Sequence, residues 1–268
     1  MSSQPVIIRG GGDLATGIAH RLYQSGFQVA ILEIPAPTVI RRTVAFAQAV
    51  YDGQAAVEGV TALLVSTPDE ALQKMAEGFI PVLIDPSGQH IPQLHPLALV
   101  DAIIAKRNIG TKKGQAPIVI GVGPGFTAGK DVDAVIETSR GHDLGRVIYH
   151  GEALPDTGIP GDIGGFTVER IVRAPGTGIF QGQVVIGSFV EKGQVIGEIN
   201  NCQVLAPITG MLRGIIAQGT HVKQGMKIGD VDPRGKKEYC YTISDKARAI
   251  GGGVLEAILN LQHKKHLK

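Results

Sequence analysis

From Pro5 to Val122 the chain alternates short, continuously apolar runs with stretches in which apolar residues recur every three or four positions. Pro5-Val6-Ile7-Ile8-Arg9 is the first apolar run and ends in Gly10-Gly11-Gly12. Residues 13–25 then show helical spacing through Leu14, Ile18 and Leu22, with Gly26 as a natural stop. Runs at 28–34, 61–66, 80–85 and 117–122 predict further strands, and 37–49, 68–77 and 96–106 predict helices. Each predicted strand is apolar on both faces. That is what a parallel sheet covered by helices requires, so the pattern predicts an α/β domain over residues 1–150.

Beyond Gly151 the helical spacing stops and short strands with glycine turns take over, after a glycine- and proline-rich joint at 155–165. An internal repeat fills the next stretch. Ala174-Pro175-x-x-Gly178 with Gly187-x-x-Val190-x-x-Gly193-x-x-Ile196-Gly197 returns as Ala206-Pro207-x-x-Gly210 with Gly219-x-x-Val222-x-x-Gly225-x-x-Ile228-Gly229, each matched pair 32 positions apart. Two equal β-rich halves can bury their apolar faces against one another. This all-β domain is expected over 151–235, and a C-terminal strand and helix over 236–268. The helix is predicted at 244–262 with Ser244 as its cap. Gly251-Gly252-Gly253 inside it costs roughly 1 kcal/mol per glycine, so it implies either a break or close packing against a neighbour.

Composition narrows the partners. The formal net charge is +2 and aromatic residues make up 4%, which argues against a nucleic-acid or membrane partner. The 37 glycines, without low-complexity tracts, point to turns and ligand loops. Cys202 and Cys240 form neither a CxxC nor a zinc-like spacing, so no metal site is expected. The start has no basic region followed by an apolar core, and reduced thiols in a cytoplasmic protein are the expectation. A homo-oligomer stays open.

The strongest candidate chemistry is Gly10-x-Gly12-x-x-Ala15, placed between a strand and a helix. It has the G-x-G-x-x-G/A form in which a tight turn, close backbone approach and helix-start amides cradle a pyrophosphate. Gly10, Gly11, Gly12, Asp13 and Ala15 are the expected cofactor contacts. Glu33, 21 residues after Gly12, is the expected ribose-binding acid. Arg41 and Arg42 read either as contacts to a 2′-phosphate or as a solvated helix face. A second loop, Gly121-Val122-Gly123-Pro124-Gly125-Phe126-Thr127-Ala128-Gly129-Lys130, departs from the Walker pattern at Pro124 and Asp131. Gly123, Gly125, Thr127 and Lys130 either hold phosphate oxygens or form an ordinary sheet-edge turn. Arg140 and His142 are weaker candidates of the same kind. No general base or nucleophile can be assigned, so the catalytic residues are unknown.

The two-copy pattern resembles the biotinyl/lipoyl-type barrel-sandwich hybrid. The hairpin that carries the modified lysine in that family is here Glu198-Ile199-Asn200-Asn201-Cys202-Gln203-Val204, without lysine, so no covalent biotin or lipoate is expected. Cys202 near that tip reads as a structural cysteine or as a sulfur, selenium or metal contact, and Cys240, between two tyrosines, as a strand residue. The segments Ile8 to Gly17, Gly121 to Asp133 and Thr157-Gly158-Ile159-Pro160-Gly161 resemble the YqeB-type accessory proteins of selenium-dependent molybdenum hydroxylases, with a more distant likeness to XdhC-type accessory proteins. The resemblance implies a maturation factor that docks a molybdenum hydroxylase client and handles a nucleotide-containing cofactor, NAD(P) or molybdopterin cytosine dinucleotide. An NAD(P)-dependent oxidoreductase and a non-catalytic scaffold are the alternatives. Taken together, the expected fold is a Rossmann-type parallel-sheet domain followed by a barrel-sandwich hybrid and a C-terminal helix.

Overall fold

A computed structural model describes residues 4–266; the first three residues, read above for a leader, lie outside it. The chain forms two compact units. One runs to Pro37, resumes over Phe46–Thr157 and takes up the chain again from Ile243; the other comprises Thr38–Ala45 and Gly158–Thr242. Of the four cuts, the one between Thr157 and Gly158 falls inside the predicted 155–165 joint. The other three differ from a division at 150 and 235: an eight-residue excursion joins the second unit, and the terminal helix belongs to the first.

The first unit contains β1 (Val6–Arg9), α1 (Asp13–Gln24), β2 (Val29–Glu33), a short α2 (Ala49–Asp52), β3 (Gln54–Val57), β4 (Val60–Val65), α3 (Pro68–Ala76), β5 (Ile80–Ile84), β6 (Ala98–Asp101), β7 (Ile118–Val122), β8 (Thr127–Ala128), β9 (Ala134–Ile136), β10 (Val147–Ile148), β11 (Gly151–Glu152) and α4 (Asp245–His266). Nine strands form one sheet in the order β10-β9-β7-β6-β1-β2-β5-β4-β3, and β8 pairs separately with β11. Pairing is parallel from β9 across to β4 and antiparallel at both margins, β9 with β10 and β3 with β4. The β3–β4 hairpin turns on Glu58 and Gly59, both with positive φ, which is the twist a two-residue hairpin needs.

The expected fold class is therefore corrected. A large mixed sheet accompanied by separate antiparallel sheets replaces the Rossmann-type parallel sheet followed by a barrel-sandwich hybrid. Two misread segments explain much of the difference. Residues 96–106, expected as a helix, hold β6, a strand buried at every position. Leu97-Ala98-Leu99-Val100 is a continuous apolar run, and such a run satisfies helical spacing by accident. Residues 37–49, also expected as a helix, form two 3-10 turns, and most of the segment leaves for the other unit.

Helix α4 runs unbroken for 22 residues and packs along α1. Ser244 caps it, its hydroxyl accepting from Ala247 N at 3.2 Å. Two of its three glycines, Gly251 and Gly253, lie where backbones meet, while Gly252 has open space around it. A Cβ on Gly251 would stand 2.9 Å from Gly17 O, and one on Gly253 would collide with Gly145 O. Of the two readings of the triple glycine, the close-packing one holds. Among the described residues no helix is long and apolar enough to cross a membrane.

The second unit contains β12 (Ile171–Arg173), β13 (Gly178–Gly182), β14 (Phe189–Val190), β15 (Val195–Ile199), β16 (Cys202–Leu205), β17 (Gly210–Ile215), β18 (His221–Val222) and β19 (Lys227–Asp232). They form two four-stranded antiparallel sheets, β12-β19-β17-β14 and β16-β15-β13-β18. The repeat explains this interleaving. Each sheet takes strands from both copies, and the pairs β13/β17, β14/β18 and β15/β19 occupy matching places in opposite sheets. Val172, Phe180, Ile196, Leu212, Val222 and Val231 are among the side chains that form the core. The 38–45 excursion is bonded into this unit, with Arg42 Nε donating to Ile215 O at 2.8 Å and Thr43 Oγ1 to Cys240 O at 2.5 Å.

Candidate functional site

Ligands of open α/β sheets bind beyond the carboxyl ends of the parallel strands. In the first unit the glycine loop lies there, between β1 and α1. Gly10 has φ +88°, and a Cβ on it would meet Ala102 O and Ile103 Cα at 3.1 Å. Its N–H donates to Leu32 O at 2.8 Å. Gly11 donates to Glu33 Oε2 at 2.7 Å, and its carbonyl accepts from Ala47 N at 2.9 Å. A Cβ on Gly11 would stand 2.8 Å from Ala47 N. The first two glycines thus admit the chain's own backbone, and their amides are engaged by the fold.

Gly12 is different. It is the N-cap of α1 with ordinary extended geometry and no side chain to cap the helix, and its carbonyl accepts the first helical bond, from Thr16 N at 2.8 Å. Among the described residues no acceptor meets the amides of Gly12, Leu14 or Ala15. These amides carry the positive end of the helix dipole. Asp13 lies in this first turn. Ala15 is fully buried, which is the close helix–strand packing the small residue was expected to allow.

Glu33 ends β2 as expected, but its carboxylate is turned into the loop. Oε2 accepts from Gly11 N, Oε1 from Ile34 N at 2.8 Å, and the residue is 8% exposed. Burial raises its pKa, against the pull of those two amides. The other strand ends repeat the arrangement. Asp101, the last residue of β6, accepts from Ile103 N and from Thr111 Oγ1, and lies 3.6 Å from buried Arg9, which itself donates to Thr111 and to Pro86 O. Glu137, after β9, accepts from Thr138 N, Ser139 N and Leu154 N. Asp85, after β5, accepts from Gly88 N, Gln89 N, His90 N and Ser87 Oγ. Each acid tethers loop segments by their amides, so this row shapes the edge on which a ligand would rest.

For Asp85, burial acts to raise the pKa, but the four donors outweigh it and hold it below the usual value. The folded carboxyl therefore binds its proton less readily than the unfolded one. Its contribution is complete above the unfolded pKa of about 3.9 and is lost as pH falls through the lower folded value. Asp85→Ala leaves the Gln89 and His90 amides without their acceptor and Gly88 N with only the residue-85 carbonyl, and we expect a loss of about 2–4 kcal/mol at neutral pH that shrinks toward pH 3, read from urea denaturation at a series of pH values.

The second glycine loop is also shaped by packing. A Cβ would meet the Phe126 ring at Gly121, Thr138 Oγ1 at 2.9 Å at Gly123, and the Arg107 backbone at 2.5 Å at Gly125. Thr127 Oγ1 donates to Glu152 at 2.7 Å, and Lys130 is exposed. Arg140 pairs with Asp245 at 2.8 and 3.2 Å, while His142 is exposed. The edge-turn reading fits these positions.

Lys246 was invisible to the sequence reading. It lies in the first turn of α4, where a cation opposes the helix dipole, half-buried and within electrostatic range of Arg140, Asp13, Glu137 and Asp156. Burial, followed by Arg140, lowers its pKa. Its placement in the first turn of a helix was the only signal available. The same unit has an open groove of about 480 Å³, lined by Glu137, Tyr149, His150 and Glu152 among others.

In the second unit Cys202 is exposed, following a turn in which Asn200 and Asn201 both have positive φ. Cys240 is fully buried, its thiol pushed up by burial, and it ends a 3-10 turn, Lys237–Cys240, where a strand was expected. Arg41 and Arg42 lie on no α-helix face and bond within the second unit: Arg41 is 9% exposed and donates to Tyr239 O and Thr242 O, both at 3.0 Å, and Arg42 donates to Ile215 O.

No protein-family model matches the chain. Among solved structures it is similar to product-bound EutE (DoeB), the ectoine utilization protein of Ruegeria pomeroyi, at 12% identity over 84% of this chain and 56% of that one, with a TM-score of 0.23. It is also similar to a succinylglutamate desuccinylase from Silicibacter sp. TM1040 (11% identity, 85% and 84% of the two chains, TM-score 0.26) and to a succinylglutamate desuccinylase/aspartoacylase from Rhodobacter sphaeroides (14%, 86% and 85%, TM-score 0.28). Likeness at that level carries no functional argument. The sequence comparison is much stronger: the chain is 54% identical over 261 residues to the uncharacterized protein YqeB of Escherichia coli (strain K12), covering 97% of this chain and 48% of that protein. The chain is thus a relative of YqeB that spans about half of YqeB's length.

Proposed function

We propose that this chain is a maturation factor for a selenium-dependent molybdenum hydroxylase, and that its first unit holds the phosphate portion of a nucleotide-containing cofactor at the start of α1. The client role rests on the likeness to YqeB-type accessory proteins, and kinship with the XdhC type belongs to the same reading. The observation that carries the binding role is the uncapped start of α1, where three amides have no acceptor among the described residues and half-buried Lys246 stands within electrostatic range. Amides at a helix start and a nearby ammonium fit one phosphoryl group. Asp13 repels an anion there, and Lys246 with Arg140 offsets that repulsion. Glu33 has no part in ribose selection on this reading, since both its oxygens accept backbone amides. The cofactor class remains molybdopterin cytosine dinucleotide or NAD(P).

Calorimetric titration of the chain with molybdopterin cytosine dinucleotide, NAD, NADP, ATP and CTP tests this. Gly12 has φ −65°, which any residue adopts, so Gly12→Val keeps the fold while placing a branched side chain over the amides. We expect Gly12→Val to abolish binding and Lys246→Ala to weaken it roughly tenfold, the worth of one charged hydrogen bond, with melting temperatures unchanged. A chain that binds none of these nucleotides, or a Gly12→Val variant that binds like the parent, would remove the proposal.

A further inference from the structure

The second unit contains a buried guanidinium, that of Arg213, which forms ion pairs but whose Nε has no hydrogen-bond partner among the described residues. Asp230 and Asp232 alternate along β19 and so point to one face of their sheet. Arg213 occupies the register shift of β17 between Leu212 and Gly214, a bulge of the kind that re-aims a side chain. Both carboxylates are already claimed. Arg170 donates to Asp230 through a short bond, and Arg234 holds Asp232 through Nε at 2.9 Å and Nη2 at 2.6 Å. Arg213 is left 3.7 Å from Asp232 and 4.0 Å from Asp230, outside hydrogen-bond reach. Its side chain is 9% exposed, and its Nε is buried with no partner among the described residues; the same holds for Arg170 Nε.

A buried charge is tolerated when its hydrogen-bonding capacity is filled. Here the planar fork of Arg213 has spare donors in a setting where burial and the charge of Arg41 already disfavour its protonated form. At the rim, Arg234 is 40% exposed and lies 4.4 Å over the Tyr239 ring, with Lys236 at 5.3 Å from the same ring. Arg234 thus shares Asp232 with the buried Arg213 and is itself partly open to solvent. We propose that Arg213, with Arg170 and Arg234, receives a tetrahedral oxyanion of the phosphate type, either inorganic phosphate or the phosphoryl group of a larger molecule. An acceptor with several oxygens can meet two guanidinium forks together, which neither aspartate is placed to do for Arg213.

The test uses the full chain. Melting is followed against sodium phosphate, with sodium chloride at equal ionic strength as control. Binding to the wild type is read separately from the broadening of the phosphate phosphorus resonance. We expect saturable stabilisation by phosphate beyond that by chloride. Arg213→Met should lose that response, and Arg213→Lys should retain it roughly tenfold weaker. Because phosphate also suits the start of α1, the response is measured in Gly12→Val as well; it persists there if the site is the one proposed. Comparison with AMP and pyrophosphate separates the two sources: equal affinity indicates the free ion, tighter binding a phosphoryl group of a larger molecule. A wild-type response identical in phosphate and chloride overturns the proposal, as does a full phosphate response in Arg213→Met. If Arg213→Met does not fold, the phosphorus resonance of the wild type and Arg213→Lys decide: no broadening, or equal broadening in both, overturns it.

Discussion

Gly252→Ala stabilises the chain by about 0.5–1 kcal/mol while Gly253→Ala destabilises it by about 2–3 kcal/mol, although the two residues are neighbours in one helix. The gain is the ordinary advantage of alanine over glycine in a helix interior, which reduces the freedom of the unfolded chain. It applies in full at Gly252, where a Cβ meets nothing within 4 Å. At Gly253 the same methyl would collide with Gly145 O, a backbone atom that cannot swing aside, so overpacking exceeds the propensity gain. Gly251 is intermediate, with Gly17 O at 2.9 Å. Urea denaturation of the three alanine variants measures this. Stabilisation by both Gly252→Ala and Gly253→Ala would mean that α4 does not press against the Gly145 turn.

The second large effect is expected at the end of β6. Asp101→Ala should cost about 3–5 kcal/mol, because it leaves the Arg9 guanidinium, 4% exposed, without its carboxylate and Thr111 Oγ1 without its acceptor. The penalty comes from the stranded charge more than from lost attraction. Arg9→Met combined with Asp101→Leu should therefore be markedly less destabilising than the sum of its single substitutions. The double-mutant cycle reads this directly. A coupling near zero would show that Arg9 is sustained by Thr111 and Pro86 O alone.

Much of the local structure was legible because burial leaves a periodic trace. The apolar runs ending at Arg9, Glu33, Ile84 and Val122 are strands, and Pro68 and Thr67 begin and cap α3 as a proline at the first turn suggests. The 32-residue repeat has its physical counterpart in the matching strands of two sheets. The trace failed where a run satisfied two periods at once, as at β6, and where a segment was too short for a period, as at 38–45. The candidate site was less legible. The glycine pattern located the loop, but Glu33 was at the expected position with an unexpected partner. Lys246 comes into range of the loop only because α4 packs along α1 from the far end of the chain.

By itself the sequence located β1, β2, β4, β5, β7, α1, α3 and α4 of the first unit, showed that two halves of the second repeat, and gave close packing as one of two explanations for three glycines in a helix. These are properties of neighbours a few residues apart, governed by side-chain period and backbone preference. Only the tertiary structure decided that Gly10 and Gly11 make room for Ala102–Ile103 and Ala47, that the acids at the strand ends hold loop amides, and that Arg213 is buried between two occupied aspartates. Those depend on which distant segments meet, and a hydrogen bond across many residues leaves no period in the chain that makes it.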